Sequence, residues 1–373
     1  MNELCKEEKF QDTSEKLLSI EVTTHCNIQC LHCFVNGRND QKLSLSLDVV
    51  RDIIKEGYDL EYRRLHITGG EPLLWSELFE VLDLAFYLGF KSILINTNGI
   101  LLSKNICAKL ANYNSAMITV SLDGPEELHN KIRGEGAYKL TMQGIENAVD
   151  AFMEPIIFTT VYKSLLPELS YFAMDLFSKF PTIKYVSLIP LEKADHNGFA
   201  LTKELLAPDD FVRLNRTLPF LNLAGLKMDI LNYPLAGVVS KQLKNPVIQW
   251  SSPIDQKRSV IVMANGEIRS SHFNQAFLGW YEPGMLQEVL ESNEYKKLFS
   301  PNDTICSCCN YSQVCEENGL FQPLELTTAI VNPGPYCRCV LDIVVLGEDQ
   351  GFDRANQIAD KKPTRNENLI KKA

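Results

Sequence analysis

From residue 19 to about residue 192, short runs of β-forming residues alternate with longer amphipathic stretches. The β-forming runs are LLSIEVTT, RLHITGG, KSILINTNG, SAMITVSLDG, PIIFTTVY and IKYVSLIPL. Strands that alternate with helices of this length build parallel β-α units. About six units are present, fewer than the eight that close a full α/β barrel. The alternation therefore predicts an α/β fold, a partial and open (β/α)6 barrel over residues 19–195.

The pattern changes after the last of these runs. We predict a polar N-terminal tail over residues 1–18, a helical linker or insertion over 196–257, a small, irregular Cys-rich domain over 258–345 and a polar C-terminal tail over 346–373. In the Cys-rich domain, SVIVMANGEIRSS has two β runs around Asn265-Gly266, a dipeptide that favours a type I′ hairpin turn. The later cysteines lie in a stretch with little periodicity, which usually needs a metal to fold.

Charge and composition exclude several partners. The formal net charge of -10 provides no basic field for a nucleic-acid backbone, so we expect no nucleic-acid partner. No apolar run is long enough to cross a bilayer, and the polar N-terminus does not resemble a signal peptide. We therefore expect a cytoplasmic protein without membrane contact. Eleven cysteines in that reducing compartment are unlikely to form disulfides, and their clustering indicates metal binding.

The first cysteine cluster is in HCNIQCLHCF, where Cys26, Cys30 and Cys33 follow the first predicted strand with the spacing C-x3-C-x2-C. Three thiolates can hold three irons of a cubane and leave the fourth iron with an open position, as catalytic zinc sites also keep one position free. The loop follows the carboxyl end of a strand, where α/β barrels place their chemistry. The alternative is a structural zinc knuckle, completed by His25 or His32.

This motif after the first strand of a partial barrel resembles the radical S-adenosylmethionine (SAM) enzymes. The resemblance implies a [4Fe-4S] cluster on Cys26, Cys30 and Cys33, whose open iron binds the amino and carboxylate groups of SAM. The reduced cluster then cleaves SAM, and the released 5′-deoxyadenosyl radical abstracts a substrate hydrogen. A reducing partner such as flavodoxin or ferredoxin is also implied. His32 occupies the position of a planar residue near the adenine.

Other motifs resemble the SAM contacts of the same superfamily. In HITGGEPLL, Gly69 and Gly70 let a polar group approach the backbone, and Glu71 can accept a hydrogen bond from the methionine ammonium. In TVSLDG, Ser121 and Asp123 share one face at period two and resemble the ribose-binding pair; the alternative is a simple Asp-Gly turn. The resemblance also implies two further SAM contacts, Arg133 on the carboxylate and Asn98 in NTNG.

The late cysteines resemble the SPASM extension of radical SAM enzymes that act largely on peptides. In CSCCNYSQVC, Cys306, Cys309 and Cys315 have the spacing C-x2-C-x5-C. The resemblance places three further ligands, for a first auxiliary cluster, at positions that hold no cysteine here. Ser271 and Gly319 occupy two of these positions, and the third ligand is absent because no cysteine lies between residues 107 and 306. The resemblance implies one auxiliary [4Fe-4S] cluster, with Cys337 as the fourth ligand and Cys339 as the alternative. Zinc is the other metal that such a site could hold.

Two thiols near this site have no assigned ligand role. Cys308 and Cys339 are candidate hydrogen donors to a substrate radical, by resemblance to epimerases of the superfamily. His272 stands where sulfatase-maturing relatives carry an aspartate base, so that base is not assigned here.

The resemblance to radical SAM enzymes implies a peptide maturase. The expected reaction modifies a ribosomally synthesised precursor peptide by epimerisation, a thioether or a carbon-carbon crosslink. The alternative is a radical SAM dehydrogenase that acts on a small-molecule alcohol or a protein side chain.

Overall fold

One sheet with flanking helices accounts for most of the ordered elements. The computed structural model describes residues 15–33, 42–191, 201–231, 234–243, 249–251, 259–270 and 276–297, together with 340, 343 and 344. Its strands are β1 (Leu17–Thr23), β2 (Arg64–Gly69), β3 (Ser92–Thr97), β4 (Ala116–Ser121), β5 (Ile156–Val161), β6 (Tyr185–Pro190), β7 (Met228–Leu231), β8 (Gln249–Ser251), β9 (Val260–Val262), β10 (Glu267–Arg269) and β11 (Gly279–Trp280). Its α-helices are α1 (Leu47–Asp59), α2 (Leu78–Leu88), α3 (Lys104–Leu110), α4 (Glu126–Arg133), α5 (Ala137–Asp150), α6 (Leu169–Lys179), α7 (Pro208–Leu223), α8 (Pro234–Gln242), α9 (Met285–Glu291) and α10 (Asn293–Lys297).

The strands lie in the order β11-β10-β9-β1-β2-β3-β4-β5-β6-β7-β8. All neighbours from β9 to β8 pair in parallel, and β10 and β11 are antiparallel. The predicted α/β fold with a partial parallel barrel is confirmed. The assignment of 196–257 as a linker needs correction, because this segment contributes β7 and β8, which extend the sheet in the same direction. Among the described residues, no helix has the length and apolar character needed to span a membrane.

Each barrel strand divides its side chains between two faces. On β1, Leu18, Ile20 and Val22 pack in the main hydrophobic core, together with the buried residues of α1. Each side chain buried in this way contributes about 1.5–3 kcal/mol to folding. Because these side chains occupy the outer face of the sheet, the alternate residues of each strand lie on its inner face.

The inner face of the sheet is unusually polar. Ser19 Oγ lies 3.3 Å from His66 Nδ1 on the next strand, and Ser187 Oγ donates to Asp229 Oδ1 at 2.6 Å. Closed α/β barrels fill this space with bulky branched side chains. Buried polar groups of this kind suit a cavity that receives a polar ligand.

The hairpin of β9 and β10 forms, but its turn is not of type I′. That type requires positive φ at both central residues, and here Gly266 has φ 91° whereas Asn265 does not have a positive φ. Gly266 N–H donates to Met263 O at 2.8 Å, and Met263 N–H donates to Glu267 O at 2.8 Å. The connection is a type I turn followed by a glycine bulge, the usual geometry of three-residue hairpin loops.

Candidate active site

The loop with the C-x3-C-x2-C motif follows the carboxyl end of β1 and is held at two points. Leu31 N–H donates to Ile132 O of α4 at 2.8 Å. Glu71 N–H, just after β2, donates to His25 O at 2.7 Å. The loop is therefore fixed between α4 and the turn after β2, at the end of the sheet where parallel α/β proteins bind ligands.

Two of the three cysteine sulfurs have a nitrogen donor nearby. Cys30 is buried, and Cys26 and Cys33 are partly exposed. Arg133 Nη1 lies 3.8 Å from Cys30 Sγ, and Asn98 Nδ2 lies 3.8 Å from Cys26 Sγ. Burial raises the pKa of the Cys30 thiol to about 12 and also raises the pKa of Cys26. Both thiols are thus protonated at neutral pH until a metal displaces their protons.

Gly69 and Gly70 lie where the cysteine loop touches the turn after β2. A Cβ on Gly70 would lie 2.2 Å from His25 O, and one on Gly69 would lie 2.4 Å from Thr23 O. Gly70 N–H also donates to Thr23 O at 2.7 Å. The sequence analysis expected these glycines to admit a ligand. In the structure they admit the backbone of the cysteine loop, so their first role is close packing of two chain segments.

Glu71 is fully buried, and its carboxylate accepts three hydrogen bonds from the protein. Leu73 N–H and Thr97 Oγ1 donate to Oε1 at 3.1 and 2.9 Å, and Asn98 N–H donates to Oε2 at 2.8 Å. Burial raises the pKa of Glu71 to about 7, and these hydrogen bonds counteract part of the effect. A carboxylate has about four acceptor sites. One therefore remains for the ammonium contact, which stays a prediction.

Asn98 joins the end of β3 to the cysteine loop. Its Nδ2 donates to Asn27 Oδ1 at 2.7 Å, and its Oδ1 accepts from Ile100 N–H at 3.0 Å. Thr141 Oγ1 donates to its carbonyl oxygen at 2.8 Å. Asn98 thus lies at the site, held by α5 on one side and by the loop on the other.

Asp123 is the centre of a buried ion-pair cluster. Arg133 Nε donates to its Oδ2 at 2.6 Å, and His32 Nε2 lies 2.9 Å from the same oxygen. Thr160 N–H donates to Oδ1 at 2.8 Å. The sequence analysis expected this carboxylate to bind ribose hydroxyls together with Ser121. In the structure Asp123 has protein partners at both oxygens, whereas Ser121 is partly exposed at the end of β4.

Charge pairing within this cluster outweighs burial. Burial alone would raise the pKa of Asp123, but the Arg133 guanidinium and His32 hold it well below its ordinary value. Burial alone would lower the pKa of Arg133, but Asp123 and Cys30 raise it. Arg133 is therefore charged, and a guanidinium has five N–H donors. The donors that Asp123 and Cys30 do not use remain for the predicted contact with the SAM carboxylate.

The sequence analysis missed His129. This residue lies one helical turn before Arg133 on α4, is fully buried, and its Nδ1 accepts from Asp123 N–H at 3.1 Å. Burial and then the charge of Arg133 lower its pKa to about 3. The ring is thus neutral and can accept the hydrogen bond. The i, i+4 spacing of the two residues in HNKIRGEG is the signal that could have revealed it.

The late cysteines lie outside the described residues. This applies to the predicted auxiliary ligands and hydrogen donors, Cys306, Cys308, Cys309, Cys315, Cys337 and Cys339. It also applies to Ser271, His272 and Gly319. The auxiliary cluster and its ligand set therefore stay predictions.

Residues 20–165 match the Radical SAM superfamily. This segment contains the cysteine loop, the turn with Gly69 and Gly70, and the Asp123–Arg133 pair. Residues 20–165 form a radical SAM domain. The resemblance identified from the motifs is confirmed for that segment.

Curated relatives match this domain over part of their length. The mycofactocin maturase MftC of Mycolicibacterium smegmatis is 31% identical over 160 residues, which are 42% of this chain and 40% of that protein. A probable GTP 3′,8-cyclase of Methanococcus maripaludis is 34% identical over 140 residues, 37% of this chain and 46% of that protein. The chain thus spans less than half the length of these two relatives.

Solved structures share the fold over more of the chain. The structure of anSMEcpe with bound AdoMet has a TM-score of 0.67 and 19% identity, and the match covers 92% of this chain and 99% of that one. The structure of Streptococcus suis SuiB bound to the precursor peptide SuiA has a TM-score of 0.65 and 19% identity, and the match covers 81% of this chain and 71% of that one. At these identities the comparison establishes a common fold.

The residues of the radical SAM domain fit its cofactors. Three thiols lie on one loop, and two of them have N–H donors of the kind that tune iron–sulfur clusters. Glu71 retains an acceptor and Arg133 retains donors, in the polarity that an ammonium and a carboxylate require. Cys26, Cys30 and Cys33 would hold the cluster, and the other residues would contact SAM.

Proposed function

We propose that this chain is a radical SAM enzyme that modifies a ribosomally synthesised peptide. When bound, the cluster supplies the electron that cleaves SAM, and the resulting 5′-deoxyadenosyl radical removes a hydrogen atom from the substrate. The observation that carries the proposal is the three-cysteine loop, fixed between α4 and the turn after β2, with Arg133 and Asn98 next to its sulfurs.

In this proposal the protein side chains position the cofactors and exclude water. Asp123 holds Arg133 next to Cys30 and contacts His32, so that the cysteine loop and α4 act as one unit. Glu71 and Arg133 would orient the amino and carboxylate groups of SAM. Burial of Cys30 would keep water from its sulfur when the cluster is bound.

Two findings support a peptide as the substrate. The relative MftC is named a maturase, and SuiB, which shares the fold, was crystallised with a precursor peptide. The late cysteines add a motif of peptide-modifying radical SAM enzymes. The proposed modification is epimerisation, a thioether or a carbon-carbon crosslink.

A small-molecule substrate is the second candidate. It is favoured by the relatives that are named GTP 3′,8-cyclases and that match the same domain with 34% identity. Both candidates need a one-electron donor, and a flavodoxin or ferredoxin of the cytoplasm is the expected partner.

Metal analysis tests the cofactor assignment. Anaerobically reconstituted wild type is compared with a Cys26→Ala, Cys30→Ala, Cys33→Ala triple variant and with Cys107→Ala, a control in which a buried cysteine of α3 is removed. We expect roughly eight irons for two cubane clusters, falling to about four in the triple variant and unchanged in the control. About four irons and one zinc in the wild type would make the C-terminal site a zinc site.

Product analysis tests the substrate class. The wild type and the triple variant are each co-expressed with every short open reading frame that adjoins the gene, and the expressed peptides are analysed by mass spectrometry. In parallel, purified protein receives SAM, dithionite and GTP. A mass change in the peptide that the triple variant does not produce supports the proposal. Conversion of GTP with an unmodified peptide contradicts it and favours the second candidate.

A further inference from the structure

Glu21 is a buried carboxyl group that the SAM site does not use. It lies on β1 between Ile20 and Val22, which pack in the outer core, so its side chain is on the inner face of the barrel. It is 3% exposed. Its Oε1 accepts from Ala264 N–H, in the turn between β9 and β10, at 3.2 Å.

The second carboxylate oxygen of Glu21 has no hydrogen-bond partner among the described residues. A buried acceptor without a partner costs about 1–3 kcal/mol, and more when it is charged. Native proteins retain few such groups, and a catalytic role is one of the explanations for those they retain. The Oε2 atom of Glu21 is therefore an acceptor at which a substrate group could supply the missing bond.

The surroundings of Glu21 are polar and lie on the same inner face. Its register partner on β2 is Thr68, one pleat beyond His66. His66 lies 3.3 Å from Ser19, the residue one pleat below Glu21 on β1. On the other side, β10 contributes the ion pair of Arg269 and Glu267. A carboxylate, two hydroxyls and an imidazole thus line one region of the barrel interior.

This region is next to the cofactor site. Thr23, two residues after Glu21, accepts from Gly70 N–H in the turn where the SAM amino group is expected. Two residues of a regular strand span about 6.5–7 Å, and the register with β2 shifts between Glu21 and Thr23, so Glu21 lies within about 7 Å of that turn along β1. A substrate that reaches the cofactor from the barrel interior would pass Glu21.

We propose that Glu21 is a catalytic base, whose free Oε2 binds an N–H, O–H or S–H group of the substrate residue and takes its proton. This rests on the proposed function, since it adds a proton-transfer group to the same radical reaction. The proton moves from the substrate heteroatom to Oε2, and the electron pair of the broken bond stays on the heteroatom. The step itself changes no oxidation state.

The protonation state of Glu21 suits this role. Burial raises its pKa to about 7, whereas Ala264 N–H and the Arg269 charge lower it and Glu267 raises it slightly. Arg269 and Glu267 are the charged groups on β10 that act on Glu21. The neighbouring residues on β2 are Thr68, which does not titrate, and His66, whose pKa burial lowers to about 4. Near neutral pH, Glu21 is thus the group of this region that can both accept and release a proton.

The test compares Glu21→Gln with wild type and with Asp210→Asn. Glutamine keeps the oxygen that accepts from Ala264 and cannot act as a base. Asp210 is a matched control, because it is a buried carboxylate on α7, a helix beside the sheet, and it already accepts from Ala207 N–H at 3.1 Å. Each protein receives SAM, dithionite and the peptide that co-expression identifies as a substrate, or GTP if the wild type leaves every tested peptide unmodified. The products measured are 5′-deoxyadenosine and the modified substrate, between pH 6 and 8.5.

We expect 5′-deoxyadenosine formation within about twofold of wild type in Glu21→Gln, with at least a 100-fold loss of modified substrate, since general bases contribute about 10²–10⁴-fold. Product formation by the wild type should rise with pH through about 7, whereas Glu21→Gln should show no such rise. Asp210→Asn should behave as the wild type. Modified substrate at the wild-type level in Glu21→Gln, or an unchanged pH profile, would overturn the proposal.

An infrared measurement without substrate gives an independent readout. Burial raises the pKa values of both Glu21 and Glu71 to about 7, so the readout is the difference between the wild-type and Glu21→Gln spectra. In that difference spectrum the C=O band of one protonated carboxyl group should disappear between pH 6 and 8, while the Glu71 band cancels. Absence of this band from the difference spectrum overturns the role of Glu21 even if the enzyme is active. An unmodified peptide together with GTP conversion contradicts the peptide proposal alone, and the Glu21→Gln comparison with GTP then decides the role of Glu21.

Discussion

Replacing Asp123 by asparagine tests whether the buried ion pair holds the cysteine loop to α4. One carboxylate oxygen accepts from Arg133 Nε at 2.6 Å and lies 2.9 Å from His32 Nε2, and the other accepts from Thr160 N–H at 2.8 Å. Asparagine has a single oxygen, so its NH₂ group must face at least one of these donors. Leaving a buried guanidinium without its counter-charge costs about 3–5 kcal/mol. We therefore expect Asp123→Asn to lose about 3 kcal/mol or more of unfolding free energy.

The assay is urea unfolding of anaerobically reconstituted protein, with bound iron measured on the same samples. The pKa of Asp123 lies below its ordinary value, so its stabilising effect is fully present above the unfolded pKa of about 3.9 and is lost only as pH falls below it. The difference between wild type and variant should thus be constant between pH 6 and 8. A loss smaller than about 1 kcal/mol would refute the reasoning. Asp229→Asn, which changes a partnered carboxylate, serves as the control and should cost about 1 kcal/mol.

Three further outcomes follow from the described contacts. Gly70→Ala places a Cβ 2.2 Å from His25 O and should reduce bound iron by half or more. Gly225→Ala has no atom near its Cβ and strains only the local backbone, where φ is 86°, so it should retain the iron; equal iron contents would contradict the packing argument. Ser46→Ala removes the side-chain cap of α1 and should lower the unfolding free energy by about 1 kcal/mol, which thermal unfolding can measure, while a change under about 0.3 kcal/mol would count against it. Burial lowers the pKa of His66 to about 4, whereas its pKa in the unfolded chain is about 6.5. Between pH 4 and about 6.5 the unfolded chain therefore binds a proton that the folded chain does not. Stability should fall as pH falls through this window, and His66→Gln should reduce the slope in urea titrations; an unchanged slope would contradict it.

The barrel strands could be predicted from sequence because each one has an apolar outer face. The runs that became β1 to β6 are long enough for β-forming residues and bounding turns to be recognised. β8, with three residues, is too short for any periodicity to show. Its place is set by pairing with β7, which is a tertiary interaction. For the same reason β8 was not predicted within the segment 196–257, the predicted helical linker or insertion.

The site residues could be predicted by type, but not the way they pair. Asp123 and Arg133 were assigned to separate SAM contacts, because a motif shows which chemical group is present and not which atom it faces. The structure joins them through one hydrogen bond of 2.6 Å, and Arg133 continues to Cys30. Residues in one such network do not contribute additively. An Asp123→Asn, Arg133→Met double variant removes both charges together, so it should lose less stability than the sum of the two single variants; additive losses would mean that the two side chains act independently, as their separate motifs suggest.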